Sequence, residues 1–88
     1  MASERQNIEA LLKKGANIAN PTLNPQMKEK DKLKKFTDSV SKFMTAAGFP
    51  CGLDYRGAFK VIGSNKNYIY TVEDKNGKLA FIYSHSEY

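Results

Sequence analysis

The chain changes character at Gly48, and no other feature constrains its fold as tightly. Upstream, apolar residues recur at helical spacing among lysines. Downstream, short stretches alternate apolar and polar side chains, and eight of the ten aromatic residues (Phe49, Tyr55, Phe59, Tyr68, Tyr70, Phe81, Tyr83, Tyr88) fall in the last forty positions. A period near 3.6 followed by a period of two joins a helical half to a sheet half. With 88 residues, the chain buries only about 60–65% of its unfolded surface, so both halves must share one modest core. The expected fold is α+β, two N-terminal helices followed by a three-stranded antiparallel β-meander, in a single domain over residues 1–88.

The helical half divides at a connector. Ser3-Glu4-Arg5-Gln6 fits a capping box, in which the Ser3 hydroxyl accepts from the Gln6 amide and the Gln6 side chain reaches back. Ile8, Leu11 and Leu12 form a small apolar face, Glu9 and Lys13 form an i,i+4 pair, and Gly15 offers a left-handed stop. This predicts a short helix from about Glu4 to Lys14. Residues 15–24, with Pro21 and three asparagines, read as a connector pinned by Ile18 and Leu23. Few other anchors hold segment 1–24, so it is expected to be mobile in the free protein. Asn24-Pro25 then pairs an N-cap with a first-turn proline. Leu33, Phe36, Val40, Phe43, Met44 and Ala47 follow as a helical stripe, with Asp31–Lys35 and Asp38–Lys42 as i,i+4 pairs. Gly48 and Pro50 end this long helix, expected over residues 25–47.

Three strands are expected within residues 53–85. They run Tyr55 to Ile62, Tyr68 to Val72 and Leu79 to Ser84. Gly63-Ser64-Asn65-Lys66 links the first two, and Asp74-Lys75-Asn76-Gly77 is a hairpin turn. A two-residue turn at Asn76-Gly77 pairs Val72 with Phe81 and Tyr70 with Tyr83; a type I turn with a bulge at Gly77 shifts that register by one. The last two strands carry apolar groups on both faces. One face takes the long helix. The other is covered in part by the first helix, or is a partner surface or a dimer interface.

Charge favours polyanionic partners. The formal net charge is +5, and residues 1–50 hold nine Lys/Arg against five Asp/Glu, whereas residues 51–88 hold five against four. The excess lies on the helices, most densely at Lys28, Lys30, Lys32, Lys34 and Lys35, with Lys42 further on. Lysines at a helix N-terminus oppose the helix dipole. An anionic partner would relieve that opposition, whereas ordinary solubility is the plain alternative. Tyr55, Phe59, Tyr68, Tyr70, Phe81 and Tyr83, interleaved with Arg56, Lys60 and Lys66, match the pattern of a stacking platform for single-stranded nucleic acid. The same residues also serve as core or as a protein interface.

Other chemistry finds little footing. One cysteine, Cys51, allows no internal disulfide, and the N-terminus carries neither a secretory signal nor a membrane span. A cytoplasmic location is the default expectation, with no membrane partner. Cys51 and His85 alone are too few for a zinc site, and no phosphate-binding glycine loop is present, so no metal or cofactor is expected. Cys51 reads as a small buried thiol rather than a nucleophile.

The chain ends Ser84-His85-Ser86-Glu87-Tyr88. Helices followed by a meander ending in Tyr-x-His-x-x-Tyr resemble the C-terminal part of RelE-type toxin ribonucleases, over about residues 53–88. The resemblance implies cleavage of messenger RNA with Arg56, His85 and Tyr88 as the carried-over residues. The chain differs from that family in opening with a capped helix rather than a strand.

The leading expectation is a small non-enzymatic binding or regulatory protein that contacts nucleic acid or a nucleic-acid-handling complex. Lys28, Lys32 and Lys35 would meet phosphate, Arg56, Tyr68 and Tyr70 would line a stacking or partner surface, and Lys60 joins them as a binding residue; no catalytic residue is assigned. An inhibitor or adaptor that binds an enzyme through an exposed aromatic sheet face is the alternative, and a RelE-like ribonuclease the second. An acidic protein surface, or a homodimer through the open sheet face, are the other partners expected.

Overall fold

A computed structural model describes residues 3–53 and 57–88. Two helices, α1 (Glu4–Ala19) and α2 (Glu29–Ala46), precede four strands: β1 (Cys51–Leu53), β2 (Phe59–Ile62), β3 (Asn67–Lys75) and β4 (Lys78–Glu87). All neighbours are antiparallel in the order β1-β2-β3-β4. The fold is therefore the expected α+β meander, with four strands in place of three.

The capping box forms as its residue types require. Gln6 N–H donates to Ser3 Oγ at 3.1 Å, and Ser3 N–H donates to Gln6 Oε1 at 2.9 Å. The helix does not stop at Gly15. A Cβ there would lie 3.2 Å from both Val40 Cγ1 and Phe43 Cδ1. Gly15 thus serves close approach of α1 to α2, not a left-handed cap, and the helix runs on to Ala19. A short 3₁₀ turn, Asn20–Thr22, follows, with Pro21 preventing continuation. The 1–24 segment, expected to be mobile, places Ile8, Leu12, Ala16 and Ala19 in the core.

α2 begins four residues later than the Asn24-Pro25 pair suggests. The Asn24 side chain accepts from Gln26 N–H at 2.9 Å, and its carbonyl accepts from Met27 N–H at 3.0 Å. Asparagine spends its oxygens on a local turn instead of a helix cap. At the other end, Gly48 has φ +98° and Phe49 N–H returns to the Met44 carbonyl at 2.9 Å. This is a left-handed glycine closure of the expected kind.

β1 was not apparent from alternation. It is three residues long and exists because Cys51, Gly52 and Leu53 pair with Val61, Lys60 and Phe59. The strand expected from Tyr55 starts instead at Phe59, after Gly57 with φ +84°. Tyr55 and Arg56 lie outside the described residues. The two-residue turn sets the last hairpin: Asn76 and Gly77 have φ of 55° and 84°, the type I′ pattern. Val72 faces Phe81 and Tyr70 faces Tyr83, which is the first of the two registers above. Beyond Tyr83 the partner of Ile69 is His85, so Ser84 is a bulge. The bulge puts Ser86 opposite Tyr68 and turns His85 to the other face.

Both helices pack on one face of the sheet. Ile8, Leu12, Phe36, Val40, Met44, Phe59, Val61, Tyr68 and Tyr70 form a single buried cluster, with Phe81 and Tyr83 against it. Two hydroxyls from the sheet reach α1: Tyr68 OH donates to Glu4 at 3.0 Å and Tyr70 OH to Glu9 at 3.1 Å. The opposite face, with Lys60, Ile62, Ile69, Thr71 and Ile82, has no layer of described helix over it, yet Ile69 at its centre is only 1% exposed. The first helix does not divide the cover as one reading allowed.

Gly63 sits where α1 meets the β2–β3 turn. A Cβ there would meet Glu4 Oε1 at 2.5 Å, Tyr68 Cε2 at 2.7 Å and the Lys66 carbonyl oxygen at 2.8 Å. Backbone on one side and a buried ring on another leave little room to yield. Gly63→Ala is expected to destabilise by about 1–3 kcal/mol, lowering the thermal midpoint by about 5–20 °C. A variant melting with the parent would show that this junction is looser than drawn.

The Glu4 carboxylate accepts from Ser64 N–H at 3.0 Å and from Tyr68 OH. These bonds favour the charged form. Ser64 contributes most, and the carboxyl is held below its ordinary value of 4.5. A depressed carboxyl binds fewer protons folded than unfolded. Its stabilisation is full above about pH 4.5 and is lost as pH falls through the folded value. Denaturation of the parent and Glu4→Gln proteins across that range is the check. Their stabilities should converge in acid, and a constant gap would refute the assignment.

Candidate polyanion-binding helix face

α2 buries one stripe, Phe36, Thr37, Val40 and Met44, flanks it with half-buried Leu33 and Phe43, and turns most of its charged residues to solvent. Its spacing then spreads lysines over the exposed side. Lys28, Lys30, Lys34, Lys35 and Lys42 are exposed, and Lys32 is half-buried. Lys34, Lys35 and Lys42 line a shallow concavity of about 380 Å³ with Asp31, Asp38 and Ser39.

The expected pairs Asp31–Lys35 and Asp38–Lys42 do not close. Among the described residues, no α2 lysine has an acidic partner within 4.0 Å. Nor does Lys13 pair with Glu9. That carboxylate takes Arg5 Nε at 2.6 Å and the Tyr70 hydroxyl instead. Arg5 is closer and is itself held by the Tyr83 ring, 3.7 Å below its guanidinium carbon. Glu9 raises the Arg5 pKa further above an already high value.

The remaining candidates scatter. Tyr68 and Tyr70 face the helices with only 3% and 1% exposure. Their hydroxyls are held by Glu4 and Glu9, and burial first, then those carboxylates, push both phenols up. Neither ring is available for stacking, which corrects the expected aromatic platform. The reason is α1: its carboxylates reward tyrosines on the covered face. Lys60 is half-buried on the opposite face, one strand from Ile69. Arg56 is outside the described residues. The structure thus gathers Lys28, Lys32 and Lys35 on one helix and separates them from Lys60, Tyr68 and Tyr70.

Cys51 and His85 lie on opposite edge strands, β1 and β4. Cys51 is half-buried, its thiol pushed up to about 11 by burial, so it is protonated at neutral pH. His85 Nδ1 lies 2.9 Å from Ser84 Oγ, and Nε2 lies 3.8 Å from a Glu87 carboxylate oxygen. Tyr88 is 98% exposed. Among the described residues no cluster of His, Cys, Asp and Glu could hold a metal, and no helix is long and apolar enough to cross a membrane.

One feature had no sequence signal: a cleft of about 520 Å³ between α1 and β4, bordered by Lys13, Lys75 and Lys78. It arises only when strand and helix are placed side by side, because its residues range from Glu9 to Tyr83. No protein-family model, curated protein or solved structure matches the chain.

Proposed function

We propose that the protein is a small cytoplasmic, non-enzymatic binding protein whose α2 contacts the phosphate backbone of nucleic acid, free or within a nucleic-acid-handling complex. The observation that supports this reading is the set of five exposed α2 lysines, none ion-paired among the described residues. Free ammonium groups exchange counterions for phosphate without first breaking an internal pair. Lys28 caps α2 with no side-chain bond, which leaves the first-turn amides open to an anion, against the opposing charge of Glu29 and Asp31 in the same turn.

With Tyr68 and Tyr70 in the core, contact is to backbone rather than bases. Duplex DNA, with its higher charge density, should then bind at least as well as single strands. Fluorescence anisotropy of labelled duplex DNA, single-stranded DNA and RNA at several salt concentrations is the test. Steeply salt-dependent binding supports the reading. A strong preference for one single-stranded sequence, or no binding at low salt, refutes it.

A further inference from the structure

We infer that the free edge of β4, with the cleft between it and α1, is a docking site for an extended peptide segment bearing acidic side chains.

The edge has an identifiable set of open backbone groups. β4 ends the described sheet. The two-residue turn makes Lys75 and Lys78 a hydrogen-bonded pair, so Leu79, Phe81 and Tyr83 fall in the alternate pairs whose N–H and C=O point away from β3. Leu79 displays this directly. Its N–H donates to Asn20 Oδ1 at 3.0 Å, and its carbonyl accepts from Asn20 Nδ2 at 3.0 Å. The Asn20 amide therefore acts as one peptide unit of a neighbouring strand. The equivalent groups of Phe81 and Tyr83 make no bond outside the sheet among the described residues. A peptide strand entering beside Asn20 would satisfy them, the recurring mode of strand addition.

The cleft supplies side-chain recognition. Leu12 and Ala16 of α1 face Leu79, Phe81 and Tyr83 across about 520 Å³. That is an apolar pocket beside a strand edge, suited to the alternate side chains of an added strand. Charge selects the occupant. Lys13, Lys75 and Lys78 border the cleft, exposed and without ion pairs among the described residues. The one acid in the lining, Glu9, is already taken by Arg5 and Tyr70. A second copy of this chain would bring its own net charge of +5 to an edge already bordered by lysines, and lysines at a strand edge oppose self-pairing. An acidic peptide meets the opposite sign.

The test is a random heptapeptide library displayed on phage and panned against the full chain. The most enriched peptide is then synthesised and titrated into ¹⁵N-labelled protein. Enriched sequences should alternate apolar residues and carry Asp or Glu. The peptide should slow amide exchange at Phe81 and Tyr83. A K13E/K75E/K78E variant should bind it at least about tenfold more weakly, whereas K34E/K35E on α2 should bind it unchanged. That last arm separates this site from the phosphate-binding reading. The inference is overturned if no sequence is enriched over the triple variant, or if shifts fall away from β4. It is equally overturned if N-methylation of alternate peptide amides leaves affinity intact, or if β4 amides are protected by dimerisation without peptide.

Discussion

Phe36→Ala is expected to lower stability by about 3–5 kcal/mol. The side chain is fully buried on α2 and stacks on Phe81, with ring centroids 5.2 Å apart. Phe81 in turn contacts Phe59 at 4.7 Å and Tyr70 edge-on at 6.5 Å. Removing Phe36 thus leaves a cavity and strips one partner from the ring that ties β2, β3 and β4 together. A domain of 88 residues has about 4–13 kcal/mol in total, so the variant loses a large share of it. The thermal midpoint should fall by about 15–30 °C, read by circular dichroism. A fall of only a few degrees would mean that the helix and sheet layers are not closed around this ring. Because α2 is also the proposed binding element, the same variant should lose nucleic-acid binding only as it unfolds.

Some signals confined to one turn of chain carry through to the structure, whereas the Asn24-Pro25 helix start and the i,i+4 charge pairs do not. Ser3 and Gln6 close a capping box because both partners lie within one turn. Gly48 ends α2 because only a residue tolerant of positive φ lets the chain fold back there. Asn76-Gly77 marks the hairpin turn, but the choice between its two registers is made only by the φ > 0 that both residues adopt, from which six pairs follow, Lys75 with Lys78 out to Tyr70 with Tyr83.

What was illegible depends on the other half of the molecule. Gly15 looks like a stop from its neighbours, but its role is set by Val40 and Phe43, which lie twenty-five or more positions away. β1 has too few residues to alternate and is created by its partner. The orientation of the sheet is the consequential case. Tyr68, Tyr70 and Tyr83 share one face, and Ile69 and Ile82 share the other, so alternation separates the faces without saying which is covered. Glu4 and Glu9, which stand on the same helix as Ile8 and Leu12, decide the matter by receiving the tyrosine hydroxyls. An acid beside an apolar helical stripe was the available clue. With the tyrosines inside, the burden of any nucleic-acid contact passes to the lysines.

Neutralising those lysines should therefore weaken it sharply. If four of Lys28, Lys30, Lys34, Lys35 and Lys42 meet phosphate, affinity for duplex DNA should fall on the order of 10²-fold between 50 and 200 mM salt. Replacing all five with glutamine should weaken binding at low salt by a similar factor and flatten the salt dependence, with each lost contact reducing the slope by about one. The melting temperature should barely move. These side chains are exposed and make no ion pair among the described residues, and removing positive charge from the first turn of α2 slightly favours the helix. This dissociation of binding from stability is the informative outcome. A slope that survives the substitutions would move the contact to Arg5, Lys13 and Lys14 on α1. Loss of fold together with binding would mean that the lysines hold the helix through contacts absent from this structure. A salt-insensitive complex would place the partner's recognition elsewhere, with the edge of β4 inferred above as the first surface to probe.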